Sequence, residues 1–246
     1  YCQNHQISQP RRKRSFAELD FGTLAERIIY LQDELRCHNI NFVSPSHLVP
    51  QLVRTVLEAV PLGLRLPLVY NTSSYDSLGS LAELDGIIDI YLADLRYGSD
   101  RLARKYSRAA DYTGHARVAI REMHRQVGEL VTDEAGLARK GLIVRHLVLP
   151  NGLAGSEASL TWLVEEVSPA VAVSIMAQYY PAHRALRIPA LSRTLTTVEY
   201  SEVVGLVERL GLGNGWIQEM EASDSYLPDF THNGHPFSSS ADPVRA

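Results

Sequence analysis

Short apolar runs alternate with amphipathic stretches along this chain, a pattern that predicts a βα repeat. Leu24, Ile28, Leu31 and Leu35 stand at i, i+4, i+7 and i+11, one face of a helix over about 24–36. Residues 39–43 then read as a short buried strand, stopped by Ser44-Pro45. A second helix aligns Leu48, Leu52, Val56 and Val60. The next strand, 66–70, runs into polar Asn71-Thr72-Ser73-Ser74. Leu78, Leu81 and Leu84 mark a shorter helix with Gly86 as its stop, and 87–92 is another strand. Helices follow over about 99–109 and 113–130, the second with Ala116, Ile120, Met123, Val127 and Leu130 on one face. The apolar strand 141–149 is interrupted by Arg145-His146, and a helix over 156–167 carries Leu160, Leu163, Val164 and Val167. Strand 171–177 ends at Gln178-Tyr179-Tyr180-Pro181, and a last helix of about 197–210 ends at Gly211. The stretch from Asp224 onward is rich in Ser, Asp, His and Pro and reads as a loosely ordered tail.

The strands are apolar on both faces, as parallel strands between helices must be. The fold expected is α/β, a (β/α) barrel or part-barrel of five parallel strands spanning 1–220, with 221–246 as the tail. No linker-like stretch divides it. Chemistry in such barrels sits at the C-terminal strand ends. Those ends are Ser44-Pro45-Ser46-His47, Asn71 to Asp76, Asp94-Leu95-Arg96, Arg145-His146 leading to Pro150-Asn151, and Gln178-Tyr179. All are polar, as a functional mouth or a solvated loop would be.

Composition narrows the classes. The 246 residues suit one barrel, and 24 Lys+Arg against 28 Asp+Glu give a formal charge of −4, which offers no electrostatic case for nucleic-acid binding. No apolar run approaches the roughly 18 residues of a membrane span. Two cysteines, Cys2 and Cys37, cannot build a disulfide framework, which favours a cytoplasmic, reducing setting. The chain opens Tyr1-Cys2-Gln3-Asn4 without an initiator Met or a signal peptide, as a processed protein or a fragment would.

Several chemistries fall away. A Schiff-base aldolase needs a desolvated strand-end lysine, and none of Lys13, Lys105 and Lys140 occupies such a place. A glycosidase needs two facing carboxylates; Asp94 is the one good strand-end acid, and Asp76 lies in a loop. Nine scattered His show no zinc-ligand spacing, and His232-Asn233-Gly234-His235 reads as ordinary loop. Gly211-Leu212-Gly213-Asn214-Gly215 follows a helix, not a strand, and reads as a helix stop. Arg11-Arg12-Lys13-Arg14 lacks interleaved aromatics and reads as a solvated loop; Cys37 reads as a small buried residue. Asp94 with Arg96 fits either a ligand site or a rim ion pair. Of Arg145 and His146, at least one should point into the barrel, where it needs a polar partner.

These residues resemble a known family. Tyr1-Cys2-Gln3-Asn4-His5-Gln6-Ile7-Ser8-Gln9 resembles the end of the cluster loop of radical S-adenosylmethionine (radical SAM) proteins, where three cysteines are spaced CxxxCxxC and an aromatic residue precedes the third. Cys37 to Val43, Val69 to Ser73, Asp89 to Asp94 and Arg145 to Asn151 are similar to the branch of iron–sulfur proteins related to pyruvate formate-lyase activating enzyme. The resemblance covers roughly 1–215.

The resemblance implies a [4Fe–4S] cluster held by three thiolates, with SAM on the fourth iron. One electron, from a flavodoxin or ferredoxin, would cleave SAM to methionine and a 5′-deoxyadenosyl radical that abstracts hydrogen. The substrate could be a glycyl-radical partner protein. It implies Cys2 as a cluster ligand beside Tyr1. It places Ser44, Ser46 and His47 where the family meets the SAM amino group, departing there from the usual Gly-Gly-Glu-type segment. Asp94-Leu95-Arg96 resembles the activating enzymes' SAM-contacting Asp-x-Lys, with Arg for Lys. Asn71, His146, Asn151 and Gln178 would face SAM or substrate. The first two cysteines and the first barrel strand would precede Tyr1, so the resemblance implies an N-terminally incomplete, inactive part-barrel with five strands. A degenerate barrel that binds a nucleotide-like ligand or a partner without redox chemistry is the alternative, and a cofactor-free lyase using Asp94 or His146 as base is a third.

Overall fold

A computed structural model describes residues 18–220; Tyr1, Cys2, the 11–14 basic run and the 221–246 tail lie outside the described residues. Helix α1 (Phe21–Asp33) is capped by Asp20, whose carboxylate accepts from the Thr23 N–H at 2.9 Å. It leads to β1 (Ile40–Val43) and α2 (Val49–Ala59). Then come β2 (Leu68–Thr72), the short α3 (Leu78–Ala82), β3 (Ile90–Asp94), α4 (Asp100–Ser107) and α5 (Tyr112–Val127). A hairpin of β4 (Val131–Thr132) and β5 (Ala138–Leu147) follows, then α6 (Ser156–Glu166), β6 (Ala172–Met176), α7 (Thr197–Arg209) and β7 (Gly215–Ile217).

The main sheet has the order β1-β2-β3-β5-β6-β7, every neighbour pair parallel, with β4 attached antiparallel to β5. It is an open α/β part-barrel, with β1 and β7 as its outer members. Among the described residues six parallel strands replace the five expected, which counts against the expectation of a part-barrel lacking its first strand. The additional one, β7, lies at the edge far from the N-terminus. Its three residues are too few to show a period, and Gly215 hides it further. A Cβ at Gly215 would run into the Val173 backbone, so the close approach of β7 to β6 requires glycine there. Gly211 does end α7, as the sequence indicated.

The two faces of the sheet differ. Tyr70, Tyr91, Leu142, Val144, Val173 and Ile175 pack under the helices in the main core. On the opposite, barrel face, Val69, Ile90, Ile143 and Ala172 form a second, smaller cluster. Because side chains alternate along a strand, Asn71 follows Val69 onto the barrel face, Asp94 follows Ile90 and Leu92, and Arg145 follows Ile143. His146, by the same parity, falls on the helix-covered face.

Most helix stripes match their periodicity: Ala116, Ile120, Met123 and Val127 are buried on α5, and Leu160 and Leu163 on α6. The first helix stops sooner than predicted, which leaves Leu35 exposed and makes Ala25, Ile28 and Gln32 its buried residues. Gln32 is inside because its amide accepts from the Arg65 N–H at 2.8 Å and donates to the Gly63 carbonyl at 3.1 Å.

Candidate functional site

The C-terminal ends of β2, β3 and β5 bring three side chains together on the barrel face. Arg145 Nε donates to Asp94 Oδ1 at 2.7 Å, and Arg145 Nη2 donates to Asn71 Oδ1 at 2.8 Å. Register makes this possible, since Asp94 and Arg145 are direct partners across β3 and β5. Arg96, two residues past Asp94, returns to grip the other carboxylate oxygen, with Nη2 and Nε at 2.7 and 3.1 Å from Oδ2. The Asp94 side chain is 9% exposed, Arg145 26% and Arg96 42%. One carboxylate thus lies between two guanidiniums, and the group carries a net charge of +1.

The turn that returns Arg96 is fixed by Tyr112. Its hydroxyl accepts from the Arg96 N–H at 2.9 Å and lies 2.9 Å from the Asp94 carbonyl and 3.2 Å from the Ser73 carbonyl. Tyr112 carries no sequence signal of this role, because it falls between the two predicted helices and its partners are remote in sequence. A close crossing supports the same turn: a Cβ on Gly98 would collide with the Gly155 carbonyl.

The remaining candidates separate. Ser44, in a left-handed conformation with φ 54°, is exposed, as is His47. Ser46 Oγ lies 3.4 Å from Thr72 Oγ1. Gln178 Oε1 accepts from Gln218 Nε2 at 3.2 Å, while Gln218 Oε1 accepts from the N–H groups of Ala177 and Gln178 at 2.9 and 3.2 Å. Gln218, beyond β7, had no sequence signal. His146 does not face the mouth as expected. His146 is fully buried on the helix-covered face, with Nδ1 2.7 Å from the Leu95 carbonyl and Nε2 2.9 Å from Ser156 Oγ. Burial pushes its pKa down to about 4, which leaves it neutral at pH 7. The carbonyl therefore takes the Nδ1 proton and Nε2 accepts the serine hydroxyl. Asn151, at φ 58°, is tied to the start of α7: its N–H donates to Glu199 at 2.7 Å, its amide donates to the Ala190 carbonyl at 2.9 Å and accepts from Arg193 at 3.0 Å.

Asp76 is not the loop acid it looked to be. It is buried, and accepts from the hydroxyls of Tyr70 (2.8 Å) and Thr72. Burial and the Asp76 charge hold the Tyr70 hydroxyl well above its ordinary pKa. This cluster lies on the helix side of β2 and braces the strand end.

Among the described residues no group of three or more His, Cys, Asp or Glu could hold a metal ion. Cys37 precedes β1, at the end of the sheet opposite Asp94 and away from the mouth. The residues described here do not fit a [4Fe–4S] cluster. Among the same residues no helix is long and apolar enough to cross a membrane.

No protein-family model matches the sequence. It is 27% identical over 217 residues to an uncharacterised protein of Methanocaldococcus jannaschii, an alignment covering 86% of this chain and 59% of that protein, so the chain spans under two thirds of that relative's length. The fold superposes on a domain of pyruvate-formate lyase-activating enzyme from Bacteroides vulgatus, with TM-score 0.52 and 12% identity over 74% of this chain and 98% of that domain. It also superposes on HydG, a maturase of the [FeFe]-hydrogenase, with TM-score 0.55 and 8% identity over 89% of this chain and 49% of that one. At such identities the likeness is one of fold. The class is an open α/β part-barrel like those of these two structures, with six parallel strands among the described residues.

Proposed function

We propose that the C-terminal mouth of this barrel binds S-adenosylmethionine, with Asp94, Arg96, Arg145 and Asn71 receiving its amino-acid end. The observation that carries this reading is the carboxylate held between two guanidiniums on the barrel face. Its surplus positive charge suits the methionine carboxylate. The oxygens of Asp94 and Asn71 suit an ammonium or a hydroxyl. Partial burial strengthens both attractions over their value in water. Ser46 and Gln178 border the same strand ends and are offered as secondary contacts.

Cleaving SAM would take three cluster thiolates. This sequence contains Cys2 and Cys37, and Cys37 lies at the wrong end. The function proposed for the residues at hand is to bind and orient SAM. Cys2 is proposed as one cluster ligand in a complete radical SAM enzyme, whose electron donor would be of the flavodoxin or ferredoxin type. The second reading is a barrel that binds a nucleotide-like ligand without redox chemistry, for which the same pairing of Asp94 with two guanidiniums would serve.

Calorimetric titration with SAM tests the first statement. Saturable binding that weakens about tenfold or more in Asp94→Asn and Arg145→Met is expected, since each removes charge-assisted bonds. Absence of SAM binding, or binding indifferent to both substitutions, overturns it. Anaerobic iron–sulfide reconstitution, with and without added upstream sequence, separates the two readings by cluster absorbance and 5′-deoxyadenosine release.

A further inference from the structure

Beside the mouth, Arg96, Lys105, Ser107, Arg108, His183 and Arg184 line one cleft of about 620 Å³. We propose that this cleft binds the phosphate of a small phosphorylated ligand. Its role as the substrate that lies next to SAM rests on the reading above; the binding itself does not.

The charge pattern carries the proposal. The protein is acidic overall, with a net charge of −4, yet among the described residues no carboxylate lines this cleft. Several arginines elsewhere are matched to acids, as Arg65 is to Asp33 and Arg125 to Asp85 and Glu122. Among the described residues Lys105, Arg108 and Arg184 form no salt bridge, and Lys105 lies 5.1 Å over the Tyr106 ring. Gathering like charges is unfavourable unless an anion neutralises them.

Two elements converge to build the cluster. The C-terminal end of α4 brings Lys105 and Arg108, and the turn after β6 brings His183 and Arg184. Arg108 and His183 both hold left-handed backbones, with φ 57° and 54°, an unfavourable state for such side chains. Phosphate fits because its several oxygens accept from guanidinium and ammonium together. Ala185, Ile188 and Leu191 give the cleft an apolar side for the carbon portion of the ligand. Its volume falls in the roughly 300–1,000 Å³ range of small-molecule sites, too small for a nucleic acid. Arg96 joins the cleft to the mouth, since it also holds Asp94.

Titration with inorganic pyrophosphate, against sodium chloride of equal ionic strength, tests the proposal. Saturable binding is expected to weaken about tenfold or more in the double variant Lys105→Gln/Arg184→Gln, and to persist in Lys105→Arg. Circular dichroism and the melting temperature report that the variants fold, and SAM binding should be unchanged in them. No pyrophosphate binding beyond the salt control, or equal binding by the double variant, overturns the proposal while leaving the SAM reading intact. Pyrophosphate binding in a protein that ignores SAM upholds the cleft and removes the mouth reading alone.

Discussion

Arg145 and Asp94 are direct partners on adjacent parallel strands, joined through Nε and Oδ1 at 2.7 Å. Through Asn71 the same guanidinium reaches a third strand. One side chain therefore ties together the ends of β2, β3 and β5, as well as shaping the mouth. Arg145→Met leaves the Asp94 charge, almost fully buried, with Arg96 alone. A loss of about 2–4 kcal/mol is expected, somewhat below that of a fully buried pair because Arg145 is 26% exposed. Urea denaturation of the two proteins measures it, and a change under 1 kcal/mol (about the value of a surface pair) would refute the tie.

His146 predicts a pH dependence. Its folded pKa of about 4 lies below the ordinary value of 6.5, so the unfolded state takes up the proton first. The stabilisation is complete above about pH 6.5 and is lost as pH falls toward 4. Unfolding free energies across that window should fall less steeply in His146→Gln than in the parent, after the shared carboxylate titrations cancel. Parallel curves would contradict the buried neutral histidine.

Glu199 starts α7 and fixes Asn151. It forms a capping box with Thr196, accepts from the Asn151 N–H, and binds Arg193 through both oxygens. The Arg193 guanidinium, first among these partners, holds the carboxyl well below the usual carboxylate range. Glu199→Ala should cost about 1–2 kcal/mol. Thermal melts should show the loss at neutral pH. An unchanged melting temperature would argue against the cap.

Gly98 crosses the Gly155 backbone with no room for a methyl group. Gly98→Ala should destabilise the fold by about 1–3 kcal/mol and weaken SAM binding by shifting the Arg96 turn. Denaturation read beside calorimetry checks both effects; full stability together with parental affinity would disprove the crossing.

Periodicity located the helices because their core faces repeat, and β-branched runs located five strands. It missed the β4–β5 hairpin, where two exposed residues of β4 pair around an Asp133 turn, and it missed β7, where a glycine permits close packing. Of the candidate site, Asp94, Arg96, Arg145 and Asn71 were legible as polar interruptions or endings of apolar strands. Tyr112, Gln218 and the buried role of Asp76 were not, because their partners are remote in sequence or their local pattern is that of a helix or loop.

The sequence by itself determined that strands and helices alternate, that the strand ends are polar, and that two cysteines offer no disulfide framework. It left open which of Arg145 and His146 faces inward. Tertiary structure decided that through register. Pairing Asp94 with Arg145 across β3 and β5 sends the arginine to the barrel face, and the alternation of the strand sends His146 under the helices. The gathering of Lys105 and Arg184 into one cleft is likewise a property of the fold, since nearly eighty residues separate them and only packing of α4 against the turn beyond β6 brings them together.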